Sequence, residues 1–414
     1  MKHYDVIIIG GGIVGLSSAY YLGKEGKSVL VLDKGDGSDG CSFGNAGYVS
    51  PSHFVTLSSP GIVSKGLRWM MRSDSPFYLK PRLNFDLARW GWQFMRHSTE
   101  KHVNNSKKLL ADLSLLSREL HKQIAGEASL KFEENGVMLL CKTEETLHHE
   151  QKIGEMASEL GIEAKSMTME DIDRLDPNVK KQGAGGVFFP QDAYTDPAIF
   201  MTKLSEMVSQ LDVTIKYNSE VNNFEKKGGN IQRVFVGTEA FSADQYVLAA
   251  GSFSPPLMKK LGLRLLLEAG KGYSVDWKDP AGMPTISYIF VEARVAITPL
   301  DNKVRLAGTM EIGGLDESIN LTRANGFLNS IQDYFPEYEF NKISHLPKWA
   351  GLRPCSPDGL PYIGRTNKYK NLILAAGHAM MGFTLGPATG LLVKEIALEE
   401  NTSLEISRLS ANRY

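Results

Sequence analysis

The sequence predicts an α/β chain of two domains, a parallel-sheet nucleotide-binding domain and an antiparallel-sheet domain, α+β overall. Three observations predict it. Residues 4–33 read strand, glycine turn, helix, strand, acid. A second strand–glycine–helix run stands far away, at 372–398. Between them, residues 265–345 alternate in the period-two manner of half-buried strands. A chain of 414 residues is also too long for one compact core.

The first unit carries the densest signal. Val6 to Ile9 is an apolar run of strand length, and Gly10, Gly12 and Gly15 follow in the spacing G-x-G-x-x-G. Gly10 permits the tight turn, Gly12 lets backbone approach a pyrophosphate, and Gly15 lets the helix pack on the strand. The helix, 13–24, offers free N–H groups and a positive dipole end to phosphate, with Ile13 and Val14 in its first turn. A second apolar run, 29–32, ends on Asp33, placed to accept the ribose hydroxyls of an adenine nucleotide, with Lys34 beside it. Strand, turn, helix and acid in this order make a Rossmann-type site for NAD or FAD.

The loop after Asp33 holds Gly35, Gly37, Gly40, Gly44 and Gly47 and is expected to run against the ligand. Residues 62–102 differ in kind. They contain Trp69, Trp90 and Trp92, with eight Lys/Arg against three Asp/Glu. Such a mixture marks either an amphipathic cap or a peripheral membrane contact. Helices are expected at 105–124, 144–160 and 197–211, the last opened by Thr195-Asp196-Pro197. His148 and His149 fall on different faces of a charged helix, so no metal site is expected. Strands follow at 213–217, 221–226, 231–236 and 246–250, the last ending in small residues that include Ala250 and Gly251. The second domain contributes strands at 272–277, 285–291, 295–299 and 303–307 and a helix at 321–334. At the C-terminus, a strand at 372–376 leads into a glycine loop over 377–390 and a helix at 391–398. This return to nucleotide-like chemistry tips the cofactor to FAD, because a helix start beneath a flavin stabilises its reduced, negative form.

Bulk properties narrow the class. Hydrophobic residues make up 42% and charged residues 22%, as in a soluble globular protein. A net charge of −1 without a long basic block argues against nucleic acid as main partner. Three isolated cysteines, Cys41, Cys141 and Cys355, give no disulfide framework and fit a reducing compartment. The first strand begins by residue 4, leaving no room for a signal peptide, and no run of about 20 apolar residues spans a membrane. The expected location is cytoplasmic, with 62–102 as a candidate contact to the membrane surface.

Several stretches together resemble the FAD-dependent D-amino-acid oxidase / glycine oxidase superfamily, most closely its D-amino-acid dehydrogenase branch. They are GGGIVGLSSAYYL, CSFGNAGYVSP, YVLAAGSFSPPLMKKLG, KGYSV, VAITPLDNKVRLAGTMEI, GLRPCSPDGLPYIG and GHAMMGFTLGPATG, and they cover nearly the whole chain. The resemblance implies a glutathione-reductase-like FAD domain made of 1–60, 150–262 and 346–414, and a substrate domain made of 61–149 and 263–345. It implies FAD contacts at Gly10, Gly12, Ile13, Val14 and Gly15, at Asp33 and Lys34, and at Ser42, Asn45, Ala46 and Gly47. Val221, Ala250, Gly251, Gly377, Met381, Gly382, Phe383 and Thr384 complete that set. Arg353, the arginine of G-x-R-P, is implied to hold a substrate carboxylate with a bidentate fork. Tyr288, His53 and Tyr48 are further catalytic candidates. The chain departs from glycine oxidases at Ala296, where they carry a tyrosine, and at Met380, where they carry an arginine. Cys355 is out of register with the cysteine that binds flavin covalently in some relatives, so FAD is expected to be non-covalent.

The implied reaction is hydride transfer from Cα of a D-amino acid or D-proline-type substrate to flavin N5, with hydrolysis of the imino acid to a 2-oxo acid and ammonia. Electrons then pass to a quinone or other carrier. The alternatives are an oxidase of sarcosine, glycine or another secondary amine that makes peroxide from O2, and a non-catalytic FAD-binding subunit or assembly factor.

Overall fold

In the computed structural model, which describes residues 2–38, 40–64, 66, 75–278, 280 and 282–414, the first apolar run is the strand His3–Ile9. Its alternate residues enter two separate cores. Val6 and Ile8 pack under helices on one face, and Ile7 and Ile9 pack on the other. Burial on both faces is why the run is continuously apolar rather than alternating.

Among the described residues this strand lies inside an eight-stranded sheet. Val29–Leu32 and Glu239–Leu248 flank it in parallel. Val213–Lys216 pairs in parallel beyond the former, and Leu372–Ala376 beyond the latter. Tyr362–Arg365 adds an antiparallel edge, and Val221–Lys227 with Asn230–Val236 forms an antiparallel extension. The helices Ile13–Lys24, Pro197–Ser209 and Gly382–Ala397 cover one face.

The helix Gly382–Ala397 begins nine residues earlier than the sequence predicts. Its glycines are packing residues, not loop residues. A Cβ on Gly386 would stand 2.4 Å from Ile13 Cγ1, and one on Gly390 would stand 2.5 Å from the Ser17 backbone and side chain. The two helices, from opposite ends of the chain, therefore cross almost in backbone contact. Pro387, lacking an N–H, sits within this helix without ending it.

The second sheet has nine described strands, in the order Lys348–Cys355, Glu268–Lys278, Lys303–Ile312, Val295–Leu300, Ser287–Phe290, Val137–Cys141, Gly185–Phe189, Lys165–Met167, with Phe77–Leu79 paired to Lys303–Ile312. Most pairs are antiparallel; Ser287–Phe290 with Val137–Cys141 and Phe77–Leu79 with Lys303–Ile312 are parallel. Lys165–Met167 and Gly185–Phe189 differ from the expected division, which placed 150–189 with the nucleotide domain. Their ladders run onto Val137–Cys141, so this stretch extends the substrate sheet.

The helix Glu100–Glu127, expected in the substrate domain, lies instead against Gly382–Ala397, where the Ala388 N–H donates to Ser117 Oγ at 3.2 Å. Residues 85–97, read as an undifferentiated cap, form a helix that Asn84 caps through the N–H groups of Asp86 and Leu87. The predicted helix over 321–334 stops at Asn329 and continues as a short 3-10 turn, Ile331–Asp333. No helix among the described residues is long and apolar enough to cross a membrane.

Candidate active site

A cavity of about 1280 Å³ runs between the two sheets. At one end it is bounded by Gly10, Gly11, Gly12, Ile13, Val14, Asp33, Lys34 and Val221. Gly10 has φ +112, and a Cβ there would meet the Ala249 carbonyl oxygen at 2.4 Å. Gly15 does not reach the cavity. A Cβ on it would sit 1.9 Å from the Gly10 carbonyl oxygen, so it serves the close packing of helix on strand. The N-cap of the helix is Gly12, which offers no side-chain cap. Asp33 accepts the Gly11 N–H at 2.5 Å and the Gly35 N–H at 2.7 Å, fixing its carboxylate beside the turn.

In the middle of the cavity lies the loop holding Ser42, Asn45, Ala46 and Gly47. Ser42 Oγ accepts the Ile13 N–H at 2.9 Å, and Asn45 Oδ1 accepts the Gly47 N–H at 2.8 Å. The second sheet stitches this loop down by its carbonyls. Ser274 Oγ donates to Gly44, Thr298 Oγ1 to Ala46, and Arg305 Nη1 to Phe43 and Asn45. Arg305 is itself gripped by Asp276, Nε–Oδ1 2.6 Å and Nη2–Oδ2 2.8 Å. Burial alone would raise the Asp276 pKa, but Arg305 and Lys303 outweigh it and hold the carboxyl below its ordinary value. Across the loop stand Ala250, Gly251, Met381, Gly382, Phe383 and Thr384. Thr384 Oγ1 donates to the Tyr48 carbonyl at 2.9 Å, tying the C-terminal helix start to the loop. Gly377 makes the turn before this segment with φ +86 and stays outside the cavity.

At the far end the strand Lys348–Cys355 presents Arg353 to the cavity. Its guanidinium lies directly over Gly272 of the neighbouring strand, where a Cβ would fall 2.2 Å from Nη2 and 2.3 Å from Cζ. Nη1 donates to the Thr309 carbonyl at 2.5 Å. No carboxylate among the described residues pairs with Arg353; the ionisable groups that bear on it are the thiols of Cys355 and Cys41. Burial pulls its pKa below the usual guanidinium value, yet a guanidinium stays charged. A buried, uncompensated cation facing a cavity is costly unless an anion arrives to pair with it.

Thr309 is unusual in its own right. It is a β-branched residue at φ +69, in a stretch where the register of Lys303–Ile312 against Glu268–Lys278 shifts between Lys271 and Tyr273. This irregularity turns its carbonyl toward Arg353. Its Oγ1 is buried without a hydrogen-bond partner.

The other catalytic candidates are placed differently. Tyr288 is wholly buried on the side of its strand away from the cavity. Its hydroxyl donates to Asp176 Oδ2 at 2.8 Å, and burial, then the Asp176 charge, pushes its pKa far up. Strand alternation is the reason, for its neighbours Ile289 and Ala296 are the residues that line the cavity. Tyr48 borders the cavity, but its hydroxyl is spent on the carbonyls of Tyr288 at 2.7 Å and Ile297 at 2.9 Å. It is a structural tie between loop and sheet. His53 does line the cavity, where burial, with the nearby Arg294 charge, lowers its pKa to about 4 and keeps it neutral at pH 7.

Sequence reasoning missed Gly272, Thr309, Ser274, Thr298 and Arg305. One signal was present: the isolated Gly308 inside an apolar strand marks a possible bulge.

The family model described as DAO, FAD dependent oxidoreductase, matches residues 5–396. Among solved structures, a glycine oxidase from Geobacillus kaustophilus aligns over 100% of both chains with TM-score 0.82 and 22% identity. An L-proline dehydrogenase from P. horikoshii aligns over 99% of this chain and 97% of its own, with TM-score 0.75 and 20% identity. An L-amino acid deaminase from Proteus vulgaris aligns over 100% and 94%, with TM-score 0.74 and 16% identity. At these identities the likenesses establish the fold. FAD, the cofactor of the matching family, fits the residues present. The cavity is bordered by bare glycine backbone, a helix start that its own N-cap leaves open, and a fixed carboxylate where the second strand ends.

Proposed function

The chain belongs to the DAO family of FAD-dependent oxidoreductases, and from that premise we propose that it oxidises the Cα–N bond of an α-amino acid, of the D-amino acid or D-proline type. The observation that carries this reading is Arg353, a half-buried guanidinium facing the cavity with no carboxylate partner among the described residues. An α-carboxylate supplies the missing anion, and the rigid fork sets its orientation. The glycine oxidase, L-proline dehydrogenase and L-amino acid deaminase of like fold are named for amino acids, which supports the amino-acid part of the reading; the D-hand rests on the sequence resemblance alone.

Gly10, Gly12, Ile13, Val14, Asp33 and Val221 would hold the nucleotide, with Lys34 beside it. Ser42–Gly47, Ala250, Gly251 and the segment from Met381 to Thr384 would border the flavin, held without a covalent bond. FAD supplies the two-electron acceptor for the hydride leaving Cα. The chain's part is to bind and orient. Arg353 holds the carboxylate and the Thr309 carbonyl holds Arg353, while His53 stays neutral at pH 7. The imino acid released from a primary amino acid takes up water to give a 2-oxo acid and ammonia, whereas a proline-type substrate leaves as the cyclic imine.

The electron acceptor in this reading is a quinone or other carrier. Ala296 and Met380, which replace groups found in glycine oxidases, and the NAGYVSP loop support the dehydrogenase branch. Leu83, Phe85, Trp92 and Met95 are exposed together around the helix Phe85–His97, and Leu83, Trp92 and Met95 border the cavity. Arg96 lies over Trp92 and Arg264 over Phe85. This basic, aromatic face supports a peripheral contact with a membrane surface. Trp69, Met70 and Met71, of the same stretch, lie outside the described residues.

The test is anaerobic titration of the flavin-loaded protein with D- and L-amino acids, followed by readmission of air or addition of a quinone. Bleaching by D-amino acids, recovering quickly with quinone and slowly in air, is the expected result. Rapid recovery with peroxide places the chain with the oxidases. In Arg353→Ala, flavin content should hold while the rate of bleaching falls roughly 1000-fold. An unchanged rate removes the carboxylate assignment.

A further inference from the structure

The wall that meets Arg353 is apolar, and its composition bears on the substrate's side chain. Leu87, Trp90 and Met310 are buried there in one cluster, with Leu57, Phe77 and Phe94 packed against it, and all six border the cavity. The wall begins at the anchor itself, with Met310 Sδ 4.0 Å from Arg353 Nη1. It is also built onto the anchor's strand. Trp90 Nε1 donates to the Cys355 carbonyl at 2.9 Å, two residues past Arg353. That bond uses the only polar atom of the indole, leaving its faces for apolar contact. Phe94 stacks on Trp90, with centroids 5.1 Å apart and an interplanar angle of 18°.

Four of the charged side chains that border the cavity are engaged elsewhere; Glu220, beside Val221, and Arg294, near His53, border it as well. Arg82 pairs with Glu268 at 2.7 Å. Lys34 lies 3.3 Å over the Phe253 ring and 4.0 Å from Glu317. Lys260 Nζ donates to the Asn222 carbonyl. Asp33 is bound by the Gly11 and Gly35 N–H groups.

We infer that the substrate is an amino acid with a bulky apolar side chain, branched aliphatic or aromatic, seated on the wall formed by Leu57, Phe77, Leu87, Trp90, Phe94 and Met310. The inference rests on the amino-acid reading above and deepens it. Glycine and alanine would leave this wall without contact. A glutamate or lysine side chain would lose its water with no partner gained. Each carbon added against the wall removes apolar surface from water, so turnover efficiency should climb with side-chain size until the wall is covered.

The experiment is anaerobic reduction of the flavin-loaded protein by both enantiomers of glycine's larger homologues: alanine, leucine, phenylalanine, glutamate and lysine. For the reactive hand, kcat/KM for leucine and phenylalanine should exceed that for alanine roughly 50-fold, with glutamate and lysine lower still. Leu57→Lys, at a half-buried position, should lower the leucine rate roughly tenfold and raise that of glutamate. A second measurement needs no variant. Binding of the unreactive carboxylates 4-methylpentanoate, 3-phenylpropanoate, propanoate and pentanedioate is read from the shift of the flavin absorption band. The first two should bind tightest. Equal rates for alanine, or a preference for glutamate or lysine, would overturn the inference and leave the amino-acid reading standing. A bound flavin that no amino acid of either hand bleaches would overturn both.

Discussion

The nucleotide end of the cavity and its arginine end are made of different materials. At the first, the working parts are backbone: Gly10, Gly11, Gly12 and the start of the helix Ile13–Lys24, with one side chain, Asp33. They fall within 24 consecutive positions, from Gly10 to Asp33. At the second, the parts are mostly side chains from scattered segments, Leu57, Phe77, Trp90, Met310 and Arg353, with the bare Gly272 and the Thr309 carbonyl setting the arginine. A cofactor common to a large family can be met by local backbone geometry. A substrate that varies between relatives has to be met by side chains, which can change without disturbing the sheet beneath them.

If that contrast holds, damage at the two ends should separate cleanly. The largest effect is expected from Gly15→Ala. The new methyl has 1.9 Å to the Gly10 carbonyl oxygen, so helix and strand must part. A stability loss of about 3 kcal/mol and a flavin-to-protein ratio near zero should follow, read by thermal melting and the absorbance ratio. Retained flavin would mean that the turn tolerates remodelling and that backbone geometry is not decisive there.

A smaller effect of a different kind is expected from Gly272→Ala. Its methyl would displace the Arg353 guanidinium while leaving the nucleotide end alone. Flavin content should stay normal and kcat/KM for amino acids should drop roughly 100-fold. Loss of flavin in this variant would show the two ends to be mechanically coupled.

The smallest effect concerns the junction between them. Asp192 accepts the Ser52 N–H at 3.0 Å and the Ser52 hydroxyl at 2.5 Å, just before His53. Burial pushes its pKa up to about 7 from 3.8, against the lowering effect of those hydrogen bonds. Between these values the folded chain holds a proton that the unfolded chain has lost. Its contribution is therefore full at acid pH and fades as pH rises through 7. Buried neutral histidines such as His53 act in the opposite sense, so the difference between proteins is the informative quantity. Asp192→Asn should flatten the fall of melting temperature with pH between pH 5 and 8 and should be the more stable protein above pH 7. Parallel pH profiles for the two proteins would remove Asp192 as the cause.

The nucleotide strand, turn, helix and acid were legible because each is encoded in adjacent residues and each has one physical reading. Arg353 was legible only through resemblance, since nothing local to G-x-R-P says that Gly272 leaves room beside it. GPATG misled by composition. Gly386 and Gly390 look like loop residues until the helix that crosses them is in place. Thr309 was invisible because a threonine in an apolar strand carries no mark of positive φ; only the preceding Gly308 hinted at an irregularity. The placement of 165–189 was missed because short strands such as Lys165–Met167 declare no sheet partner in sequence. Tyr288 was misplaced by one strand position, which in a sheet is the difference between cavity and core.

The crossing of the helices Ile13–Lys24 and Gly382–Ala397 also sets an order of events during synthesis. The first helix is made long before the partner that covers Ile13 and Ser17, which lies far along the chain at Gly382–Ala397. The strand Leu372–Ala376, which completes the parallel sheet beside Glu239–Leu248, is equally late. Until both have been made, the nascent chain carries an incomplete nucleotide fold, with apolar surface open to chaperones. Flavin loading is therefore expected to wait for Gly382–Ala397, whose first residues border the cavity, and a chain cut before Gly382 should lose the cofactor.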